Sequence, residues 1–581
     1  MMPRVRIALL GSASQRMYTS WTAEDVADLR NIGFTGVQLN IAWSYRPADE
    51  PLSLEDVWPV SGSPKSRANV TKRLERQDEL KQRAQLARDG GLRTIFHFGA
   101  PFQGSHEFST DTLLPQCISD PATSQRYVEA LVGFGIENPF IDDLLIYTYD
   151  QDAWLCSEFG KCERCAGIPL HERLPEFLNA LGAAWIGVRP GARIWWEPWE
   201  LSVGQTLNCL LKLNSDSLGL MLHSNIAEVI STMPADRFFR QVSEIAASRG
   251  IPVIGEVFLS SNNEEVEPWF RLPVPLVTLN QLRAIENVPG VVGIKEYYGI
   301  VNSPFDINLA SAILYFESRD ATNSEIIEKL AGDFGFPWLA DFWASCSKAY
   351  ELYPWDTSWF ARQLGRSLPG HELTAATVRG MQSNADQWDT PAWQSSRGAV
   401  FLRVTNSEPN PWLLEDVGLQ FAIASAAMTE ALTIFEKNFN DAKDDLSREL
   451  LLQASEVTGF ITRTTAYALH IRESLLCRTL RSSKVKNVFL LDELSRLLET
   501  DLQNQRRENS RRVAYEESNG NGMPPTSIQL ATGWVVTRDP STKAIEEAIS
   551  VLKENVDTFL SRYFLIVPDD APAGQFSLTS R

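Results

Sequence analysis

Residues 70–98 read VTKRLERQDELKQRAQLARDGGLRTIFHF. An amphipathic helical pattern runs from Val70 to Arg88, and Asp89-Gly90-Gly91 breaks it. A short apolar run, Arg93–Phe98, then reads as a β-strand with a histidine near its end. A glycine-containing turn just before a strand is the mark of a chain leaving a helix C-terminus. The same punctuation returns at Arg189-Pro190-Gly191, Arg249-Gly250 and Pro289-Gly290.

Outward from this unit the pattern repeats. Strands are expected at Arg4–Leu10, Gly36–Ile41, Arg93–Phe98, Asp143–Tyr149, Ala192–Trp196, Leu218–His223, Pro252–Val257 and Val291–Glu296, eight in all. Helical patterns fall between them at Thr22–Asn31, Val70–Arg88, Ser124–Phe134, Pro175–Ile186 and Ala235–Ala247. Such alternation implies parallel strands, because a parallel crossover needs a dozen or more residues. Eight units within 305 residues fit a (β/α)8 TIM barrel, for which roughly 250 residues is typical. The alternative, an open doubly wound sheet, normally carries a glycine-rich phosphate turn after its first strand; here that turn is Gly11-Ser12-Ala13-Ser14-Gln15, with one glycine.

From Asp306 onward helical periodicity dominates, at Asp306–Phe316, Ser324–Phe334, Trp338–Leu352, Trp412–Asn438, Leu446–Leu476, Val488–Arg507 and Thr542–Phe564. Glu517–Pro525 reads as a loop, and Ile528–Thr537 as an isolated extended piece. The expected organisation is an α/β class barrel over 1–305 followed by a mainly α-helical C-terminal domain over 306–581, whose long apolar faces could serve a homo-oligomer.

Composition narrows the function. The 581 residues are 44% hydrophobic and 22% charged, enough for a large core. Asp plus Glu number 73 against 54 Lys plus Arg, a net charge of −19. That balance argues against nucleic acid and against an anionic membrane surface, both of which are bound through Lys and Arg. No run approaches the ~18 apolar residues of a membrane helix. The N-terminal apolar stretch, Val5–Leu10, is too short for a signal peptide. A cytoplasmic location is expected for the chain as it stands, or a secreted or periplasmic one if a leader was trimmed.

Barrel chemistry sits where strands end. The strand ends carry Asn40, His97, Tyr147, Asp150, Asp152 and Trp154, then Trp196, Glu197, Trp199 and Glu200. They continue with His223, Asn225, Glu256, Lys295, Glu296 and Tyr297. Trp and Tyr stack on the CH faces of sugars, while carboxylates, Asn and His bond hydroxyls. Glycosidic cleavage needs two carboxyl groups. A single carboxylate at a strand end is more often a helix cap or salt-bridge partner; the coincidence of several beside aromatics is what points to an oligosaccharide or glycoside. Phosphate chemistry is not expected, since Glu256 and Glu296 stand where a phosphate-binding barrel offers glycine-rich backbone.

Seven cysteines are too few for a disulfide scaffold. Cys209, Cys346 and Cys477 stand alone and read as small buried hydrophobes. Cys162-x2-Cys165 has zinc-knuckle spacing, and Cys156 and Cys117 could complete four thiolates. Structural zinc is the first reading, with a disulfide or coincidentally close thiols as alternatives. A four-thiolate site is closed and would fix the loop that carries Asp152. No organic cofactor is expected.

Cys117-Ile-Ser-Asp-Pro121, then Asp152 and its cysteine cluster, resembles a segment pair of glycosidase-like barrels related to family 20 glycoside hydrolases and α-glucuronidases. Asp306–Leu314 and Ser324–Phe336, with the Phe334-Gly335 corner, resemble the helices that follow those barrels. The likeness spans about Arg93–Leu352 and implies a sugar-cleaving barrel with a helical C-terminal domain. The sequence departs from family 20 at the end of strand 4, where Asp150-Gln-Asp152 replaces an Asp-Glu pair. As in many retaining barrel glycosidases, the acid and the nucleophile are expected at the ends of strands 4 and 7. Asp152, with Asp150 second, is then the acid and Glu256 the nucleophile or base. His97, Trp154, Trp196, Trp199, His223, Asn225, Glu296 and Tyr297 are the expected sugar contacts. The rival readings are a substrate-assisted hexosaminidase-type mechanism using Asp150 and Asp152, and a non-catalytic glycan-binding protein.

Overall fold

A computed structural model describes residues 5–10, 21–42, 53–63, 70–102, 116–148, 155–156, 158–159, 162–199, 201–224, 231–260, 272–297, 299–300, 306–354, 411–440, 442–483, 487–519 and 540–563. Eight strands form a closed barrel in chain order: β1 (Val5–Leu9), β2 (Gly36–Gln38), β3 (Arg93–Gly99), β4 (Asp143–Tyr147), β5 (Ile194–Glu197), β6 (Leu218–Leu222), β7 (Val253–Val257) and β8 (Val291–Glu296). All neighbours are parallel, and β8 returns to β1 with Val5 opposite Gly293 and Ile7 opposite Lys295. The expected TIM barrel is therefore present, and the open sheet is excluded.

Local chemistry accounts for the helices between strands. Thr22 and Asp25 form a reciprocal capping box that starts Ala23–Ile32. Asp120 caps Pro121–Glu137, whose first residue is a proline with no N–H to satisfy. Besides the single turn Leu54–Val57, two helices lie where the sequence analysis named none, Val203–Leu210 and Pro275–Glu286. The first is short, but its capping box, Ser202 with Gln205, was visible as Ser-x-x-Gln. The second begins Pro-Leu-Val-Thr, whose β-branched residues weaken the helical signal.

Ile7, Ile95, Leu145, Trp195, Met221 and Ile254 form one buried cluster drawn from six strands. Side chains of six strands meet only inside the barrel, so these six positions mark its inner face. The outer face packs on helices; Phe96 of β3 lies 5.0 Å from Phe134, which stacks on Trp185 at 6.4 Å.

The described residues divide into two compact units, one up to Ala340 and one from Asp341 onward. Helices Ile307–Glu317 and Asn323–Asp333 belong to the barrel unit. Residue 305 thus marks the end of strand–helix alternation, and residue 340 the end of the first compact body. The second unit is helical, with Pro411–Asn438, Asp445–Ser482, Val488–Asn519, Pro540–Glu554 and Val556–Tyr563. The segment read as a loop from Glu517 begins inside the third of these helices. Ile528–Thr537 lies outside the described residues.

One described helix, Glu415–Asn438, is long and apolar enough to cross a membrane by length and composition. Its Val417, Phe421, Ala424, Met428, Ala431 and Phe435 are buried at three- and four-residue spacing. That is the stripe of a helix packed on a protein core. The sequence analysis read Trp412–Asn438 as a helix and expected no run of membrane-helix length; by length and composition this helix corrects that expectation, because small and apolar residues are interspersed with few charges rather than forming one unbroken apolar run.

Candidate active site

Side chains along a strand alternate faces, so the residue two positions after an inward one also points inward. Two positions beyond the apolar layer stand Leu9, His97, Tyr147, Glu197, His223 and Glu256, and Lys295 follows Gly293 in the same way. The barrel interior therefore changes from hydrocarbon to ionisable groups within one strand repeat, at its C-terminal mouth.

Glu256 is fully buried, and Lys295 Nζ donates to its Oε1 at 2.8 Å. Among the described residues its Oε2 has no hydrogen-bond partner, though His223 Nδ1 lies 3.7 Å away. One oxygen of Glu256, one of Glu197 and one ring nitrogen of His223 all lie within 4.8 Å of one another. His223 is sandwiched between Trp199, at 4.6 Å, and Tyr297, at 5.5 Å, so it presents only its edge. Lys295 Nζ also sits 5.2 Å from the centre of the Tyr297 ring.

His97 is fixed from three sides. Asn40 donates to its carbonyl at 2.7 Å and accepts from its N–H at 2.8 Å. Its Nδ1 accepts from Ala42 N at 3.4 Å and faces Gln38 Nε2 at 3.3 Å. That assigns the ring proton to Nε2, which lies 4.0 Å from Glu197 Oε2. Burial, and then the Lys295 charge, hold the His97 pKa well below its ordinary value, so the ring is neutral at pH 7.

Of the expected site residues, His97, Trp199, His223, Glu256 and Tyr297 come together. Trp196 does not join them. It neighbours the inward Trp195 and so faces the outer side, where its Nε1 donates to Thr148 Oγ1 at 3.3 Å. Glu296 likewise follows the inward Lys295; its oxygens accept from Leu259 N at 2.7 Å and Gly299 N at 3.1 Å, pinning the backbone after β7 and β8. Asp150, Asp152, Trp154 and Asn225 lie outside the described residues. Glu197 and Lys295 were not chosen from the sequence, although each stands two residues after an inward position of its strand.

The four cysteines expected to meet do so. The sulfurs of Cys117, Cys156, Cys162 and Cys165 lie within 4.8 Å of one another, all buried. Cys117 Sγ stands 3.3 Å from Cys165 Sγ and 3.9 Å from Cys162 Sγ, far beyond the ~2.05 Å of a disulfide. A tetrahedral ion with ~2.3 Å metal–sulfur bonds spaces its sulfurs about 3.8 Å apart. The cluster could therefore hold a metal ion. Hydrogen bonds from Cys156 and Cys165 push the Cys117 thiol down to about 2. Arg173 reinforces the loop, with Nη1 3.0 Å from Cys165 Sγ, Nη2 donating to Cys156 O at 2.9 Å and Nε to Ile168 O at 2.9 Å.

No family model matches the chain. No curated protein matches it either. Among solved structures it is similar to a GH138 enzyme targeting pectin rhamnogalacturonan II, at 13% identity and a TM-score of 0.54 over 95% of this chain and 68% of that one. A Bacteroidetes-affiliated GH5 cellulase matches 56% of this chain and 94% of its own, at 12% identity and a TM-score of 0.37. A Thermobaculum terrenum O-GlcNAc hydrolase variant matches 90% and 99%, at 12% identity and a TM-score of 0.36. These structural neighbours are glycoside hydrolases, and at such identities the likeness to the GH138 enzyme is one of fold.

Proposed function

We propose that this chain is a glycoside hydrolase that breaks a glycosidic bond with paired carboxyl groups at the C-terminal mouth of the barrel. The observation that carries the reading is Glu256. It ends β7 in full burial, its charge is compensated by Lys295 at 2.8 Å, and its second oxygen has no hydrogen bond among the described residues. A carboxylate held in this way is oriented for attack on an anomeric carbon. Asp152, with Asp150 second, supplies the acid from the segment after β4, by analogy with retaining barrel glycosidases whose acid and nucleophile end strands 4 and 7.

Glu197 is the second reading for the acid, because its oxygen lies within 4.8 Å of one from Glu256. That spacing is near the roughly 5–5.5 Å of retaining pairs. In a retaining cycle the acid protonates the leaving oxygen as a Glu256 oxygen bonds to the anomeric carbon. Water then displaces Glu256, giving its proton to the same acid. His97, neutral and facing Glu197, is suited to hydrogen bonding rather than to charge compensation.

The test pairs an activated aryl glycoside with a natural glycan. Glu256→Gln should abolish turnover of both. The variant that removes the true acid, Asp152→Asn or Glu197→Gln, should slow the natural glycan far more than the aryl glycoside. Full activity in Glu256→Gln with loss in Asp150→Asn and Asp152→Asn would replace this reading with the substrate-assisted one. If wild type turns over neither substrate, a glycan-binding role takes its place.

We further propose zinc as the ion of the four-sulfur cluster. Four thiolates form a closed tetrahedral site that takes no part in chemistry and anchors the loop running from β4.

A further inference from the structure

The helical unit has its own cluster of ionisable side chains. His470 and Glu473, three residues apart on Asp445–Ser482, share a helix face. Asp501 comes from Val488–Asn519, and its Oδ2 lies 2.9 Å from His470 Nε2. A ligand atom from each of the three falls within 4.8 Å of the others. Glu473 and Asp501 are fully buried, and His470 is 8% exposed. Gln505, one turn beyond Asp501, donates to Asp501 Oδ1 at 3.4 Å. The apolar cluster of Leu476, Cys477, Leu494 and Leu498 adjoins it in sequence on both helices.

The decisive feature is Glu473. Neither of its oxygens has a hydrogen-bond partner among the described residues, although burying a lone carboxylate is strongly unfavourable. With His470 paired to Asp501, Glu473 keeps two buried oxygens without a partner among the described residues, whether it is a bare charge or an unpaired acid. A divalent cation compensates both carboxylates, with His470 neutral and binding through nitrogen. One imidazole and two carboxylates from facing helices make a donor set of the kind bundle cores use for metals, and it suits manganese, iron(II) or zinc better than calcium.

We propose that His470, Glu473 and Asp501 bind a divalent transition-metal ion that clamps helix Asp445–Ser482 to helix Val488–Asn519.

The probe is Mn2+, which thiolate clusters take poorly. Full-length chelator-treated protein is titrated with Mn2+ and the free ion followed by electron paramagnetic resonance. Glu473→Gln and Asp501→Asn are measured beside wild type, with folding checked by circular dichroism. Wild type should bind one more Mn2+ per chain than either variant, and its Tm should rise with Mn2+ by more than theirs. The two variants lie outside the barrel cluster of Glu197, His223 and Glu256, so Mn2+ bound there is common to all three proteins and cancels. Equal stoichiometry and equal Tm response in all three would overturn the proposal. In that case Glu473 is a protonated acid beside a His470–Asp501 ion pair. If Glu473→Gln fails to fold, Asp501→Asn alone decides by the same comparison.

Discussion

At the scale of single residues, the barrel mouth is governed by buried charge. Glu256 and Lys295 are both buried and compensate each other, so removing one strands the other at about 3–5 kcal/mol. Lys295→Met should lower the stability of the barrel unit by about that amount, read as a reduced urea midpoint with an unchanged slope. An unaltered midpoint would show that the pair is solvated. His97 gives a pH dependence of opposite origin. It is held neutral in the fold, whereas in the unfolded chain it takes up a proton below about 6.5. The unfolded state then binds more protons, so stability falls as pH drops below about 6.5. Urea midpoints at pH 5 and pH 7 should differ less in His97→Gln than in wild type, and an identical difference would sink this account. Glu256 and His97 were legible as strand-end residues. That Trp196 faces outward while Glu197 faces the cavity is a matter of pleat phase, which the sequence leaves open until Trp195 is known to point inward.

At the scale of elements, closure and loop anchoring carry the site. β8 meets β1 so closely that a Cβ on Gly293 would lie 2.1 Å from the Val5 carbonyl oxygen. A backbone atom cannot step aside as a side chain does, so Gly293→Ala should cost on the order of 3 kcal/mol. Chemical unfolding checks it, and a loss below ~0.5 kcal/mol would mean that the two strands can part locally. The described residues between Cys156 and Cys165 are gathered by the four sulfurs and by Arg173 rather than by helix or strand. If zinc holds it, Cys162→Ser should bring metal content from about one zinc per chain to none and lower Tm. Metal analysis that finds no zinc in wild type would return the cluster to free thiols. The Cys-x2-Cys spacing was readable in the sequence. That Cys117 closes on it is a property of neighbouring loops on a closed barrel.

At the scale of the whole molecule, two compact units share one chain. Each has its own core: the ring of Ile7, Ile95, Leu145, Trp195, Met221 and Ile254 in one, and the cluster around Leu476, Leu494, Leu498, Ile545 and Phe559 in the other. Separate cores unfold as separate cooperative bodies. Calorimetry should resolve two transitions, with Gly293→Ala lowering one and leaving the other in place. A single transition that moves as a whole would show that the units unfold together.

The sequence by itself determined the strand–helix alternation, the point where it stops, the net negative charge and the polar strand ends. These follow from periodicity, glycine turns and composition, which act over a few residues. Tertiary structure alone decided which strand-end residues share the cavity, because facing depends on pleat phase and on closure of β8 against β1. It also decided that Lys295 reaches Glu256 across adjacent strands, at a separation of 39 residues. The pairing of His470 with Asp501 is of the same kind. One helix supplies the first and the next helix the second, and no local signal in either sequence specifies the other. Burial then gives these pairs their energies, because a charge taken out of water depends on whichever partner the fold brings within reach.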